Sequence, residues 1–310
     1  MKLFHHFKDY GLAKRPIVLT IGNFDGVHRG HQAIISHVVN LAKQTGRRAV
    51  VITFNNHPSK VLTPGHPIEP LNSPKHKVRL IEDLNVDVTF LLTFTKEFSE
   101  QDAKTFLQQL NQILPFSHLI LGHDATIGKD RKGDRLAVLE LSHAMGFHVD
   151  YLEQVADEEC IPISSSRIRN YIKQGNFSEA GRLLGRRYSI VEHVSRGTQN
   201  GSRLGYPTAN IDVTGLCLPP FGVYAVHLVS NQCRYEGVAN LGIAPTLRTD
   251  RKPILEIYLF KPVINLYEEL VEVFFFDYIR PEKQFSSADE LKNQIAKDIV
   301  SAKNTLNLEL

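Results

Sequence analysis

At 310 residues, 42% of them hydrophobic, the chain is long enough for two domains with packed cores and lies outside the composition of disordered proteins. Lysine plus arginine number 36 against 33 aspartate plus glutamate, and the resulting net charge of +3 suits phosphorylated small molecules but is too diffuse for a nucleic-acid footprint. Cys160, Cys217 and Cys233 are widely spaced with no C-x-x-C pair, which argues against a disulfide framework or a zinc site.

The N-terminus, MKLFHHFKDYG, lacks an apolar signal core, and no run approaches the ~20 apolar residues that span a bilayer. The expectation is a soluble cytoplasmic protein without membrane or nucleic-acid partners, a monomer or weak homo-oligomer.

The first half alternates two periods. Short β-rich runs fall at Ile17–Ile21, Ala49–Phe54, Val88–Phe94, Leu119–Leu121 and Phe147–Leu152. Helical patterns lie between them at Ala33–Lys43, Asp102–Ile113 and Arg135–Met145, the last closed by Gly146. Strands separated by helices predict a parallel, right-handed, Rossmann-like α/β sheet. Ser166–Lys173 and Phe177–Leu184 read as two short helices around Gly175. After about Arg187 only strands follow, at Gly222–Val229, Tyr235–Leu241, Ile254–Phe260 and Leu270–Ile279, which predicts an antiparallel β-barrel. A single helix closes the chain, with a capping box at Ser287–Glu290 and an apolar stripe of Leu291, Ile295, Ile299, Ala302 and Leu306. The expected domains are residues 1–185 and 186–310.

The most informative segment is Gly22-Asn23-Phe24-Asp25-Gly26-Val27-His28-Arg29-Gly30-His31. It joins the first predicted strand to a helix, where unpaired N–H groups and the helix dipole favour an anion. His28 and His31 can donate to the oxygens of an α-phosphate that gain charge during adenylyl transfer, while Gly26 and Gly30 allow close backbone approach. The plainer alternative is a helix-capping turn that happens to carry two histidines. Ile163-Ser164-Ser165-Ser166-Arg167-Ile168-Arg169 opens another helix. Its hydroxyls, N–H groups and the guanidinium groups of Arg167 and Arg169 can hold the departing pyrophosphate, although a serine cluster alone is usually an N-cap.

Gly22–His31 and Ile163–Arg169 resemble the two signatures of the nucleotidyltransferase superfamily. Thr53–Pro58, Leu71–Pro74 and Gly122-His123-Asp124 through Asp134 are similar to the adenylyltransferase domain of bifunctional bacterial riboflavin kinase/FMN adenylyltransferases. The resemblance places Asp124 and the glycine turn (Gly22, Asn23, Phe24, Asp25) at the nucleotide.

In the second half, Gly201 and Gly205 of Gly201–Asn210 can bring N–H groups onto a triphosphate, and Pro207 fixes the chain direction. Thr208 and Asn210 share one strand face and offer oxygen ligands suited to Mg²⁺. The alternative is a glycine turn leading into an edge strand. Glu256 alternates with the apolar face Leu255, Ile257, Leu259; it is either a solvated carboxylate or a proton acceptor at the barrel mouth.

This region, Pro220–Tyr224, Gly237–Gly242, Pro245-Thr246 and Ile279–Phe285 are similar to the riboflavin kinase domain of the same family. The resemblance implies ATP–Mg²⁺ at Thr208 and Asn210, Glu256 as catalytic base, and Arg280 with its neighbours beside the flavin. It implies riboflavin, FMN, FAD and ATP as substrates and products. Departures from the family pattern are Ala125-Thr126-Ile127, Asn55-Asn56, Ser166, Tyr258 and Glu268-Glu269, the last where glycine is common. Two alternatives stay open: a riboflavin kinase with a drifted adenylyltransferase domain, and a flavin or nucleotide sensor without turnover.

Overall fold

The computed structural model describes residues 1–11, 15–196, 205–243, 252–261 and 266–307. Gly201 and Pro245-Thr246 lie outside the described residues. The chain forms two compact units, Met1–Pro70 with Lys77–Ser165 and Leu71–His76 with Ser166–Leu310.

The first unit is a six-stranded parallel sheet. Its strands are β1 (Lys2–Phe4), β2 (Ile17–Ile21), β3 (Arg48–Phe54), β4 (Val88–Leu92), β5 (Phe116–Gly122) and β6 (His148–Leu152), in the order β1-β4-β3-β2-β5-β6. β2 is buried over its first four residues, because helices cover both faces of the sheet. The helices are α1 (Arg29–Gln44), α2 (Ser59–Leu62), α3 (Pro74–Glu82), α4 (Lys96–Ser99), α5 (Ala103–Ile113) and α6 (Arg135–Met145).

Ile17, Leu19, Ile52 and Phe90 pack with Leu107 and Leu110 of α5 and Val138 of α6. On the opposite face, Val18 and Ala49 meet Val38 and Ala42 of α1, and Val51 meets Ile81 of α3. The chain proceeds from β2 outward through β3 and β4, then restarts on the other side at β5. The β2–α1 turn therefore lies at a topological switch point, where open α/β sheets leave a crevice.

In the second unit α7 (Ser165–Lys173) and α8 (Phe177–Leu184) precede a closed antiparallel barrel. Its strands are β7 (Ser189–Ser195), β8 (Thr208–Asp212), β9 (Gly222–Ser230), β10 (Cys233–Ile243), β11 (Pro253–Leu259) and β12 (Leu270–Pro281), in the order β10-β11-β8-β7-β12-β9. Phe177 of α8 joins Tyr188, Tyr224 and Phe275 in an aromatic cluster. The last helix, α9 (Ala288–Asn307), lays Ile299, Ala302 and Leu306 on Val223, Ala225 and Val238. Its capping box is displaced by one residue: Ser287 Oγ accepts from the Glu290 N–H, but the Glu290 carboxylate accepts from Ser286.

The structure adds to the sequence reading in some places and decides between its alternatives in others. β1 joins the sheet beside β4 although it is only three residues long, and α3 fills a stretch with no assigned element. β8 is no edge strand, because it pairs with β7 and β11 inside a closed barrel. Helix α1 begins at Arg29, which puts both histidines at its N-terminus.

Candidate functional sites

The glycine turn owes its shape to unusual backbone. Phe24 (φ 48°), Gly26 (φ 84°) and Val27 (φ 40°) all lie in the left-handed region, which costs energy at the two residues that carry a Cβ. Anchors on either side hold it. The Gly22 N–H donates to the Ile52 carbonyl at 3.1 Å, and Thr53 Oγ1 donates to the Asn23 carbonyl at 3.0 Å. Phe24 and Val27 are buried with Ile35 and Val51.

His28 is the N-cap of α1: its Nδ1 accepts from the His31 N–H at a long 3.4 Å. An accepting Nδ1 leaves the ring proton of a neutral His28 on Nε2. The two imidazoles stack with centroids 3.6 Å apart, and Phe24 meets His31 edge-on at 5.3 Å. A Cβ on Gly30 would approach the His28 ring to 3.2 Å, so the glycine gives that ring its room. The capping role and the paired histidines are thus two aspects of one arrangement.

Burial, followed by the charges of His28 and Lys77, holds the His31 imidazole well below its ordinary pKa. His31 Nδ1 and Asn23 Oδ1 are both buried without a hydrogen-bond partner among the described residues. Two unpartnered polar atoms on a turn at a helix N-terminus fit a polar ligand. Ser165 Oγ donates to the Asp25 carbonyl at 2.9 Å, which brings the start of the serine-arginine segment to the glycine turn. Ser166 lies 3.5 Å from the Arg169 guanidinium within the second unit. Asp124 stands just beyond β5, next to β2 in the sheet, with its side chain 78% exposed.

On the barrel, cross-strand pairing brings the second set together. Asn210 lies directly opposite Glu256, and Glu256 directly opposite Asn240. Directly paired residues share a face, with Cβ atoms about 4.5–5.5 Å apart. Thr208 is two residues from Asn210 on that face, opposite Tyr258. The face is the outer one, since the alternating residues Ile211, Leu255, Ile257, Ala239 and Leu241 are fully buried inside. Asn210 is only 5% exposed and its Oδ1 has no hydrogen-bond partner among the described residues, while its amide donates to the Thr208 carbonyl at 3.2 Å. A buried acceptor oxygen beside a threonine hydroxyl fits a hard cation.

Burial, then the neighbouring Glu282, raises the Glu256 carboxyl above its ordinary pKa. Gly205 (φ 88°) has the left-handed turn conformation that favours glycine. Tyr206, beside Pro207, packs edge-on against Tyr258 at 5.2 Å. Arg280 is held bidentately by Asp298 of α9, at 2.9 and 2.7 Å.

Residues 12–167 match the FAD synthetase family and residues 184–306 the riboflavin kinase family. The chain is 36% identical over 293 residues to the bifunctional riboflavin kinase/FMN adenylyltransferase of Haemophilus influenzae, covering 93% of this chain and 94% of that protein. It belongs to the bifunctional riboflavin kinase/FMN adenylyltransferase family. The Buchnera aphidicola member from Schizaphis graminum is 34% identical over 94% of both chains. A crystal structure titled a macrolide-efflux protein from Streptococcus pneumoniae superposes with a TM-score of 0.79 at 30% identity, covering 97% of this chain and 98% of that one. Among the described residues no helix is long and apolar enough to cross a membrane.

The departures from the family pattern acquire structural roles. Asn56 donates to the Phe94 carbonyl and accepts from its N–H, at 2.9 and 2.8 Å, tying the ends of β3 and β4. Ile127 is buried and exchanges both backbone hydrogen bonds with Gly133. Glu268 adopts φ 67°, which explains why glycine is common there. Sequence reasoning missed Lys77 and Asp298, and it quoted Asn240 and Glu282 within family-like segments without giving either a role of its own. Lys77 carried one signal: it shares a helical stripe with Ile81, where an apolar residue belongs.

Proposed function

We propose that residues 1–185 transfer an adenylyl group from ATP to FMN and that residues 186–310 phosphorylate riboflavin. In the barrel, the riboflavin 5′-hydroxyl attacks the γ-phosphorus of ATP, giving FMN and ADP. Glu256 accepts the hydroxyl proton, and its raised pKa brings it nearer the working range of a general base. Thr208 and Asn210 hold the magnesium of ATP, which when bound supplies charge neutralisation across the phosphates. Glu282 and Arg280 border the flavin, with Arg280 oriented by Asp298.

In the α/β unit, an FMN phosphate oxygen attacks the α-phosphorus and pyrophosphate leaves. His28 and His31 donate to the α-phosphate oxygens as charge develops on them, and the glycine turn supplies backbone N–H groups. Ser164 and Ser165 hold the departing β- and γ-phosphates; Ser166, Arg167 and Arg169, given the same role by the sequence, belong to the second unit. Asp124 lies on the nucleotide side of the same crevice. The protein works on small molecules in the cytoplasm.

The pairing of Asn210 with Glu256 supports the kinase reading, because the two residues assigned to the cation and to the proton lie side by side. Chromatography of the products from riboflavin, ATP and Mg²⁺ tests the whole proposal. FMN should appear first and FAD follow, with ADP and pyrophosphate as the respective leaving products. FMN accumulating without FAD would contradict the adenylyl half; bound flavin without ADP release would contradict turnover altogether.

A further inference from the structure

Lys77 of α3 is buried, yet it is a lysine on a stripe whose next member, Ile81, is fully buried. Its Nζ donates to the Asn23 carbonyl at 2.8 Å and to the Phe54 carbonyl at 2.9 Å. The first carbonyl belongs to the glycine turn after β2, and the second ends β3. One amine thus joins two neighbouring strand ends on the rim of the crevice. An apolar side chain would avoid the desolvation cost of a buried ammonium, so packing alone gives no reason for lysine.

We propose that Lys77 is a positioning residue for adenylyl transfer: it ties the Asn23 carbonyl to the end of β3, fixing the turn that leaves Asn23 Oδ1 and His31 Nδ1 without protein partners, and sets a positive charge beneath an incoming triphosphate. This rests on the adenylyltransferase reading of that site. Two electrostatic facts accompany the geometry. Burial brings the Lys77 ammonium down to about 8, against an opposing pull from Asp25, so it stays mostly charged at neutral pH. Its charge, after burial and His28, keeps His31 neutral. Among the described residues, the charges that act on His31 include His28 and Lys77, and Asp25 acts on Lys77.

The test compares Lys77→Met, which keeps the apolar stem, with Lys77→Arg, which keeps the charge. Three readouts are FAD formation from FMN and ATP, riboflavin kinase activity of the same preparation, and the NMR titration of the His31 ring without substrate. For Lys77→Met, kcat for FAD formation should fall roughly 10–100-fold, the range expected when reacting groups are misplaced. Kinase activity should be unchanged, and both the acid limb of FAD formation and the His31 titration should move to higher pH. Lys77→Arg should recover most of the rate.

Wild-type FAD formation by Lys77→Met would overturn the proposal. So would parallel loss of both activities with an unmoved His31 titration. If the wild-type protein made no FAD, the adenylyltransferase reading would fall instead. The substrate-free titration would then decide Lys77 by itself, an unmoved His31 counting against it.

Discussion

His31 and Glu256 are perturbed in ways that suit different chemistry. His31 is a buried imidazole held neutral and ready to donate, whereas Glu256 is a carboxylate made more basic by burial and by Glu282. Replacing His31 with alanine should slow FAD formation by roughly 10²–10³, the usual loss for a group that stabilises transition-state charge, and leave FMN formation intact. Glu256→Ala should slow FMN formation by roughly 10²–10⁴ and leave FAD formation from supplied FMN intact. Steady-state rates for each half-reaction read both outcomes, and equal damage to both halves by either variant would refute the division. His227 offers a pH prediction away from either set of reacting groups. Burial, then Arg234 and Arg187, lowers its imidazole to about 4. The unfolded chain takes up a proton near the ordinary imidazole value, about 6.5, while the folded one does not. Stability should therefore fall as pH drops from about 6.5 toward 4. His227→Phe should flatten that decline in urea midpoints measured across the range; an unchanged slope would remove His227 as its cause.

At the level of elements, the strands and helices with long, clean patterns were legible. β2, β3, α5, α6, α8 and α9 fall within a few residues of their sequence positions, because each has an apolar face and a recognisable end. β1 was not, since three residues carry no period and pair only through the edge that β4 offers. α3 was hidden by Lys75-His76-Lys77, whose last two residues look solvent-facing but are buried. The chemistry of single motifs could be read locally, whereas Asn240 and Glu282 become neighbours of Glu256 only through barrel register and the chain following β12. Turn chemistry supplies a stability test. Asn231 (φ 47°) and Gln232 (φ 64°) form the two-residue connection between β9 and β10, a conformation in which the second position favours glycine. Glu268 (φ 67°) has the same problem before β12. Gln232→Gly and Glu268→Gly should each stabilise the barrel by up to about 1 kcal/mol, less the added chain entropy of glycine. Thermal midpoints should rise with both activities unchanged, and a lowered midpoint would contradict the strain.

For the whole molecule, the two proposed anion-handling sites occupy one polypeptide, each built by the device its sheet makes available. An open parallel sheet leaves a crevice at its switch point, bordered by the β2–α1 turn. A closed barrel has no such crevice, so its polar set sits on the outer face, where register aligns Asn210, Glu256 and Asn240. The central claim is that these sites act independently, one at the α-phosphorus and one at the γ-phosphorus of ATP. Mixing the His31→Ala and Glu256→Ala proteins with riboflavin, ATP and Mg²⁺ tests it most directly. Each variant alone should form little FAD from riboflavin, while the mixture should restore FAD because FMN released by the first reaches the second. A mixture as inactive as its separate components, with both proteins folded, would contradict the account.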